Sequence, residues 1–104
     1  MVSEVYFRIN KLIDDTRVDV TTTAQQIFDM YAFDRSLMSE VKTIELTNNS
    51  ANDIYFGKDN TVTVSNSGGL LKAGSKMEIP MTDLNYSPYF IASGTSELLL
   101  LFWG

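Results

Sequence analysis

Any chemistry this chain performs must proceed without imidazole or thiol, because its 104 residues include no histidine and no cysteine. Acid-base or nucleophilic catalysis would then rest on carboxylates, serine, lysine or tyrosine. Asp14-Asp15 is the only adjacent carboxylate pair. Neighbours on an extended chain point apart, and a solvated turn is the expected setting for both. A glycosidase needs two carboxyl groups held at a fixed separation, and no spacing in this sequence selects such a pair. Asp53, Asp59 and Asn60 offer oxygen ligands to Ca²⁺, but the regular ligand spacing and central glycine of an EF-hand loop are missing. They are also ordinary β-turn residues. Gly68-Gly69 lacks the Lys-Ser and the following helix of a phosphate loop, and reads as a flexible connection. The residues imply no enzyme, and no metal or organic cofactor is expected.

The alternative to a reactive centre is a surface. Tyr55, Tyr86, Tyr89 and Trp103 are candidates for an aromatic platform facing a sugar or a protein. Aromatic residues make up 12% of the chain, an amount that a core can absorb, so most of them are expected to be packing residues. The exceptions are Tyr55, which is out of phase with its neighbouring core residues, and Tyr31, which lies in segment 24–38. Assembly interfaces favour such residues. The candidates for partner contact are Phe28, Tyr31, Phe33, Tyr55, Leu99, Leu101 and Trp103.

The elements that must position these residues are short strands. In 43–47, Ile44 and Leu46 alternate with Thr43, Glu45 and Thr47, the period of two of a half-buried strand. After a turn at 48–52, Ile54 and Phe56 repeat the pattern, and Gly57-Lys58-Asp59-Asn60 makes a tight connection. Val62 and Val64 form the next inward pair. The turn Lys72-Ala73-Gly74 launches 75–81, where Met77, Ile79 and Met81 alternate with Lys76, Glu78 and Pro80. Pro80 has no N–H to give, which places this strand at an edge or ends it there. Gly57 and Gly74 are expected at positions that disfavour a β-carbon.

Residues 4–10 alternate through Val5, Phe7 and Ile9, residues 11–15 read as a connection, and 17–21 alternate again as an antiparallel partner. Thr23-Ala24-Gln25-Gln26 has the form of a capping box, followed by Ala24, Ile27, Phe28 and Tyr31 on one helical face. A short helix is expected over 24–33, with 34–40 as a loop. Residues 89–93 and 97–102 are two strands joined by a hairpin at Ser93-Gly94-Thr95-Ser96. In the second, Leu98, Leu100 and Phe102 should face the core with Tyr89 and Ile91, leaving Leu99, Leu101 and Trp103 to another contact. These readings add up to one all-β domain over 1–104, a single antiparallel β-sandwich or jelly-roll-like fold of about eight short strands. It carries one short helical insertion at about 24–38.

The run Leu46-Thr47-Asn48-Asn49-Ser50-Ala51-Asn52-Asp53-Ile54-Tyr55-Phe56-Gly57 resembles a family of small tailed-bacteriophage virion structural proteins. The likeness continues in Val62-Thr63-Val64-Ser65, in Leu71-Lys72-Ala73-Gly74-Ser75, and in Tyr89-Phe90-Ile91-Ala92-Ser93-Gly94-Thr95. It covers about the last three-fifths of the chain and rests on strand and turn residues. It implies a β-sandwich virion component, with a head-associated accessory or decoration protein binding capsid proteins as the preferred role. A neck or tail adaptor is the alternative within that class, and a carbohydrate-binding β-sandwich module lies outside it. Relative to the family, residues 24–38 are extra material and are expected to meet a partner chain.

Composition narrows the partners. Thirteen acidic against eight basic side chains give a net charge of −5, with no basic block to neutralise a row of phosphates, so direct nucleic-acid binding is not expected. The longest apolar run, Leu98 through Trp103, is six residues, far below the roughly 20 that span a bilayer. The start Met1-Val2-Ser3-Glu4-Val5 does not read as a signal peptide. The absence of cysteine is compatible with a reducing compartment. The expectation is a protein of the host cytoplasm that enters a virion and meets other virion proteins there, with homo-oligomers in the assembled particle.

Overall fold

The longest apolar run of the sequence falls in the strand Ser96–Trp103, which lies between two other strands of its sheet. In a computed structural model that describes residues 11–81 and 86–104, eight strands are formed among the described residues. They are β1 (Leu12–Val20), β2 (Gln25–Gln26), β3 (Thr43–Asn48), β4 (Ile54–Gly57), β5 (Gly69–Leu71), β6 (Lys76–Pro80), β7 (Tyr89–Ala92) and β8 (Ser96–Trp103). A four-residue helix, α1 (Ile27–Met30), and a 3-10 helix, Arg35–Glu40, lie between β2 and β3.

The pairing is that of one long hairpin rolled up. β1 pairs with β8, β2 with β7, β3 with β6 and β4 with β5, all antiparallel. Ladders between β3 and β8 and between β4 and β7 then close the roll into two sheets, β1-β8-β3-β6 and β2-β7-β4-β5. This is the jelly-roll arrangement of a β-sandwich, and the expected all-β class holds.

The core fills the space between the sheets. Ile44, Leu46, Leu98, Leu100 and Phe102 of the first sheet are 0% exposed, as are Ile54 and Phe90 of the second. At roughly 1.5–3 kcal/mol per large apolar side chain buried, these positions dominate the drive to fold. The alternation on β3 and β8 is regular, so Leu99, Leu101 and Trp103 are half-buried on the outer face, as their phase predicts.

Several local expectations are corrected. Residues 11–15 are no connection: β1 begins at Leu12, and a bulge between Leu12 and Asp14 sets its register on β8. Asp14-Asp15 therefore lies in a strand and not in a turn. The expected strand at 4–10 and its pairing lie outside the described residues.

The helix expected over 24–33 shrinks to α1. Extension through Gln25 and Gln26 lets β2 pair with Phe90 and Tyr89, and that ladder overrides the helical spacing. Thr23 is not the cap: Asp29 instead accepts the Gln26 N–H at 3.1 Å. Residues 34–40 form a 3-10 turn, with the Asp34 carboxylate accepting the Ser36 N–H at 3.0 Å.

Val62 and Val64 make no strand. Val62 is buried and Val64 half-exposed beside a tight turn in which Thr63 and Asn66 pair with each other. The strand forms later, at β5, so Gly69 is not part of a flexible link. A β-carbon at Gly69 would collide with the Phe56 ring beside it.

The hairpin expected at 93–96 is instead a corner, since β7 belongs to the second sheet and β8 to the first. β7 also has the opposite phase to that expected. Phe90 and Ala92 enter the core, whereas Ile91 lies opposite Tyr55 on the outer side. All four β7 residues are apolar enough for either face, so only the ladder to β4 fixes the phase.

Candidate functional site

Segment 24–38 caps the open end of the sandwich. The Phe33 ring centroid lies 4.7 Å from that of Phe102 and 6.3 Å from those of Phe28 and Tyr31. Phe33 is 6% exposed, so it has almost no surface to offer a partner. Ile27 and Met38 are buried as well, and Phe28, Met30, Tyr31 and Leu37 pack partly against the core. The segment is thus integral to the domain and does not lie outside its framework. Phe28 remains half-exposed under the Arg35 guanidinium, 5.9 Å from the ring centroid. Tyr31 donates its hydroxyl to the Asp14 carboxylate at 2.6 Å. That hydrogen bond, helped by partial burial and the charges of Asp14 and Asp15, pushes the Tyr31 pKa up to about 12.

Of the carboxylates considered for chemistry, Asp14, Asp53 and Asp59 are engaged in structure. Asp53 accepts the Ala73 N–H at 3.0 Å, tying two loops. Asp59 accepts the Thr61 hydroxyl and N–H, and these bonds, the hydroxyl foremost, hold its pKa below the usual carboxylate value. Asp14 turns to Tyr31 while Asp15 points outward from β1. Among the described residues no three Asp or Glu side chains gather closely enough to hold a metal ion.

The aromatic platform divides between two faces. Tyr55 and Tyr89 belong to the outer side of the second sheet, where Tyr55 lies between Ile91 and Leu70 in the ladders. Tyr86, 40% exposed, donates its hydroxyl to the Lys58 carbonyl at 2.9 Å. Trp103 is on the opposite side of the molecule, on the outer face of the first sheet.

That outer face is the best-defined surface. Leu99, Leu101 and Trp103 run down its middle on β8, and charged side chains from β1, β3 and β6 flank them. In one row across the sheet lie Asp15, Leu101, Glu45 and Glu78. In the next lie Arg17, Leu99, Thr47 and Lys76. Glu45 accepts the Trp103 indole N–H at 3.2 Å and meets the Lys76 ammonium at 3.4 Å. Lys76 thereby offsets the repulsion expected of Glu45 and Glu78, which are directly opposite each other. At the other side, Glu97 accepts from Arg17 at 3.4 Å and from the Asn49 amide at 2.6 Å.

Shallow hollows run on both sides of the apolar stripe. One, of about 180 Å³, is lined by Thr43, Glu45, Glu78 and Trp103. The other, of about 230 Å³, is lined by residues 15–17 and 99–101. Each brings a threonine and at least one carboxylate together with part of the apolar stripe. Comparison with protein-family models, curated proteins and solved structures finds no match.

Sequence reasoning placed Leu99, Leu101 and Trp103 on this face but missed their charged neighbours as parts of one surface. The outward phase of Glu45, Lys76 and Glu78 was visible from alternation. Their position across the sheet from Leu101 and Leu99 depends on which strands adjoin, and alternation carries no signal for that. Leu70, 47% exposed, was missed because β5 itself was missed.

Proposed function

We propose that the chain is a structural component of a bacteriophage virion, a jelly-roll domain added to the head as an accessory or decoration protein that binds capsid proteins. The observation that carries this reading is that both sheets point apolar side chains outward. Leu99, Leu101 and Trp103 do so on the first sheet, and Tyr55 and Leu70 on the second. Outward positions of a sandwich are ordinarily polar. A domain with apolar contacts to make on two sides suits a part set between neighbours.

Two further points support it. Jelly rolls recur in viral capsids, though also in lectins and other proteins, so the fold contributes by analogy. The residues that carry the resemblance to small tailed-phage proteins, Asn48 and Gly74 among them, shape the corners of this fold. A carbohydrate-binding role would favour tyrosines and tryptophan on one platform, and here they lie on opposite faces. The test is to express the chain with the structural proteins encoded beside it and to fractionate the particles. Retention on tailless heads is the expected result. Retention on tails alone would make the chain a neck or tail adaptor, and absence from both together with glycan-array binding would replace the proposal with the carbohydrate reading.

A further inference from the structure

The outer face of the first sheet carries a pattern that complements itself. Its two central rows read acid, leucine, acid, acid across β1, β8, β3 and β6, then base, leucine, threonine, base across the same strands. A two-fold axis lying over the sheet between these rows, and running along them, would stack each strand on its own copy in the opposite direction. Every residue of the first row would then meet the second-row residue of the same strand. Asp15 would face Arg17 of the second copy, Glu78 would face Lys76, and Leu101 would face Leu99. Because the operation is two-fold, each of these pairs occurs twice.

We infer that the partner covering this face is a second copy of the chain, docked sheet to sheet about that axis with the strands aligned. Aligned packing is one of the two ordinary ways in which sheets stack. The two bases are free to take part: the Arg17 and Lys76 side chains are each 68% exposed even while they meet Glu97 and Glu45. The inference rests on reading the outward faces as contacts, and it names the occupant of one of them. The other face, around Tyr55 and Leu70, stays available for the head.

The contact is small. Four strands make a face roughly 19 Å wide, and residues 97–103 span about 20 Å. That is modest beside the ~800 Å² per partner of a standard interface, so the dimer should form with rising concentration and should not be permanent.

Sedimentation equilibrium of the purified full chain over a concentration series is the first measurement, and the mass should move from one chain towards two. Lys76→Glu or Glu78→Lys alone places like charges face to face, twice, and should weaken association at least about tenfold. An equimolar mixture of these two variants should associate again, because each then meets the other's opposite charge. The double variant K76E/E78K should self-associate like the native chain. Circular dichroism on each variant verifies that it is folded. A monomer at every concentration would overturn the inference and leave the face to a different partner or to another segment of the chain. A dimer indifferent to all the charge changes would also overturn it, by placing the contact elsewhere. Because no phage particle is present, failure here leaves the head-binding test untouched, and failure of head binding leaves this one untouched.

Discussion

Asn48 is a position where side-chain hydrogen bonds, more than apolar packing, should hold the fold together. It is the last residue of β3 and 0% exposed, and its side chain is fully used. The amide donates to the Asn52 carbonyl at 2.8 Å and to the Leu71 carbonyl at 3.0 Å, while its oxygen accepts the Ser50 N–H at 3.2 Å and the Ser50 hydroxyl at 2.6 Å. One residue thus ties the first sheet to β5 of the second and shapes the loop between β3 and β4. Asn48→Leu keeps the number and branching of the side-chain heavy atoms, although its two methyl groups are bulkier than the amide atoms, and deletes all four bonds. The Leu71 carbonyl then loses a partner in a buried corner, at about 1–3 kcal/mol for an unsatisfied group, while the exposed Asn52 carbonyl keeps the Ser50 hydroxyl. The expected loss is about 2–4 kcal/mol, against a total stability of roughly 5–15 kcal/mol for a domain of this size. Thermal unfolding should fall by about 10–20 °C, and urea unfolding should show a lower midpoint with an unchanged slope. Asn49→Ala, next in sequence but exposed, should cost less than about 0.5 kcal/mol. If Asn48→Leu stayed within about 0.5 kcal/mol of the native protein, apolar packing alone would be holding the corner, and the hydrogen-bonded reading would fail.

Gly74 has a φ of +78° with open space where a β-carbon would go, so Gly74→Val should cost about 1–2 kcal/mol through backbone strain alone. Gly94→Val, with no positive φ and nothing within 4 Å, is the control, and equal melting temperatures for the two variants would refute the strain argument. Leu100→Asp, at a 0% exposed position, should prevent folding, whereas Leu101→Asp on the outer face should leave a folded monomer. Equal loss of folded protein from both would mean that the domain covers both faces of β8 by itself. Tyr31 should titrate near pH 12 in place of its ordinary 10.0. Its raised pKa means that the stability it contributes is whole below pH 10 and lost as the pH climbs to about 12. Spectrophotometric titration of tyrosinate should lose its component near pH 12 in Tyr31→Phe and should show that component shifted down in Asp14→Asn, and a component unmoved by Asp14→Asn would remove Asp14 as the cause.

What the sequence disclosed, and what it withheld, follows from what periodicity can encode. Alternation tells which side of a strand a residue faces, and on β3 and β6 polar and apolar residues differ enough for that to be read residue by residue. On β7 the signal fails, because Tyr89, Phe90, Ile91 and Ala92 fit either face and the phase comes from Tyr55↔Ile91 and Phe56↔Phe90 in the ladder. Segment 24–38 misled for a related reason. Ala24, Ile27, Phe28 and Tyr31 have helical spacing, yet the same residues gain more by letting β2 join a sheet and by closing the sandwich over Phe102. β5 is three residues long and starts on a glycine required by the Phe56 ring, which leaves no period to detect. The largest gap is lateral. Asp15, Leu101, Glu45 and Glu78 are scattered through the sequence and become one row only because β8 threads between β1 and β3. The charge pattern that makes the outer face complementary to its own copy is therefore a property of the strand order. A shift of two residues in the β3–β6 ladder would keep every side chain on the same face and still destroy the pattern, by bringing Lys76 into the row of Asp15.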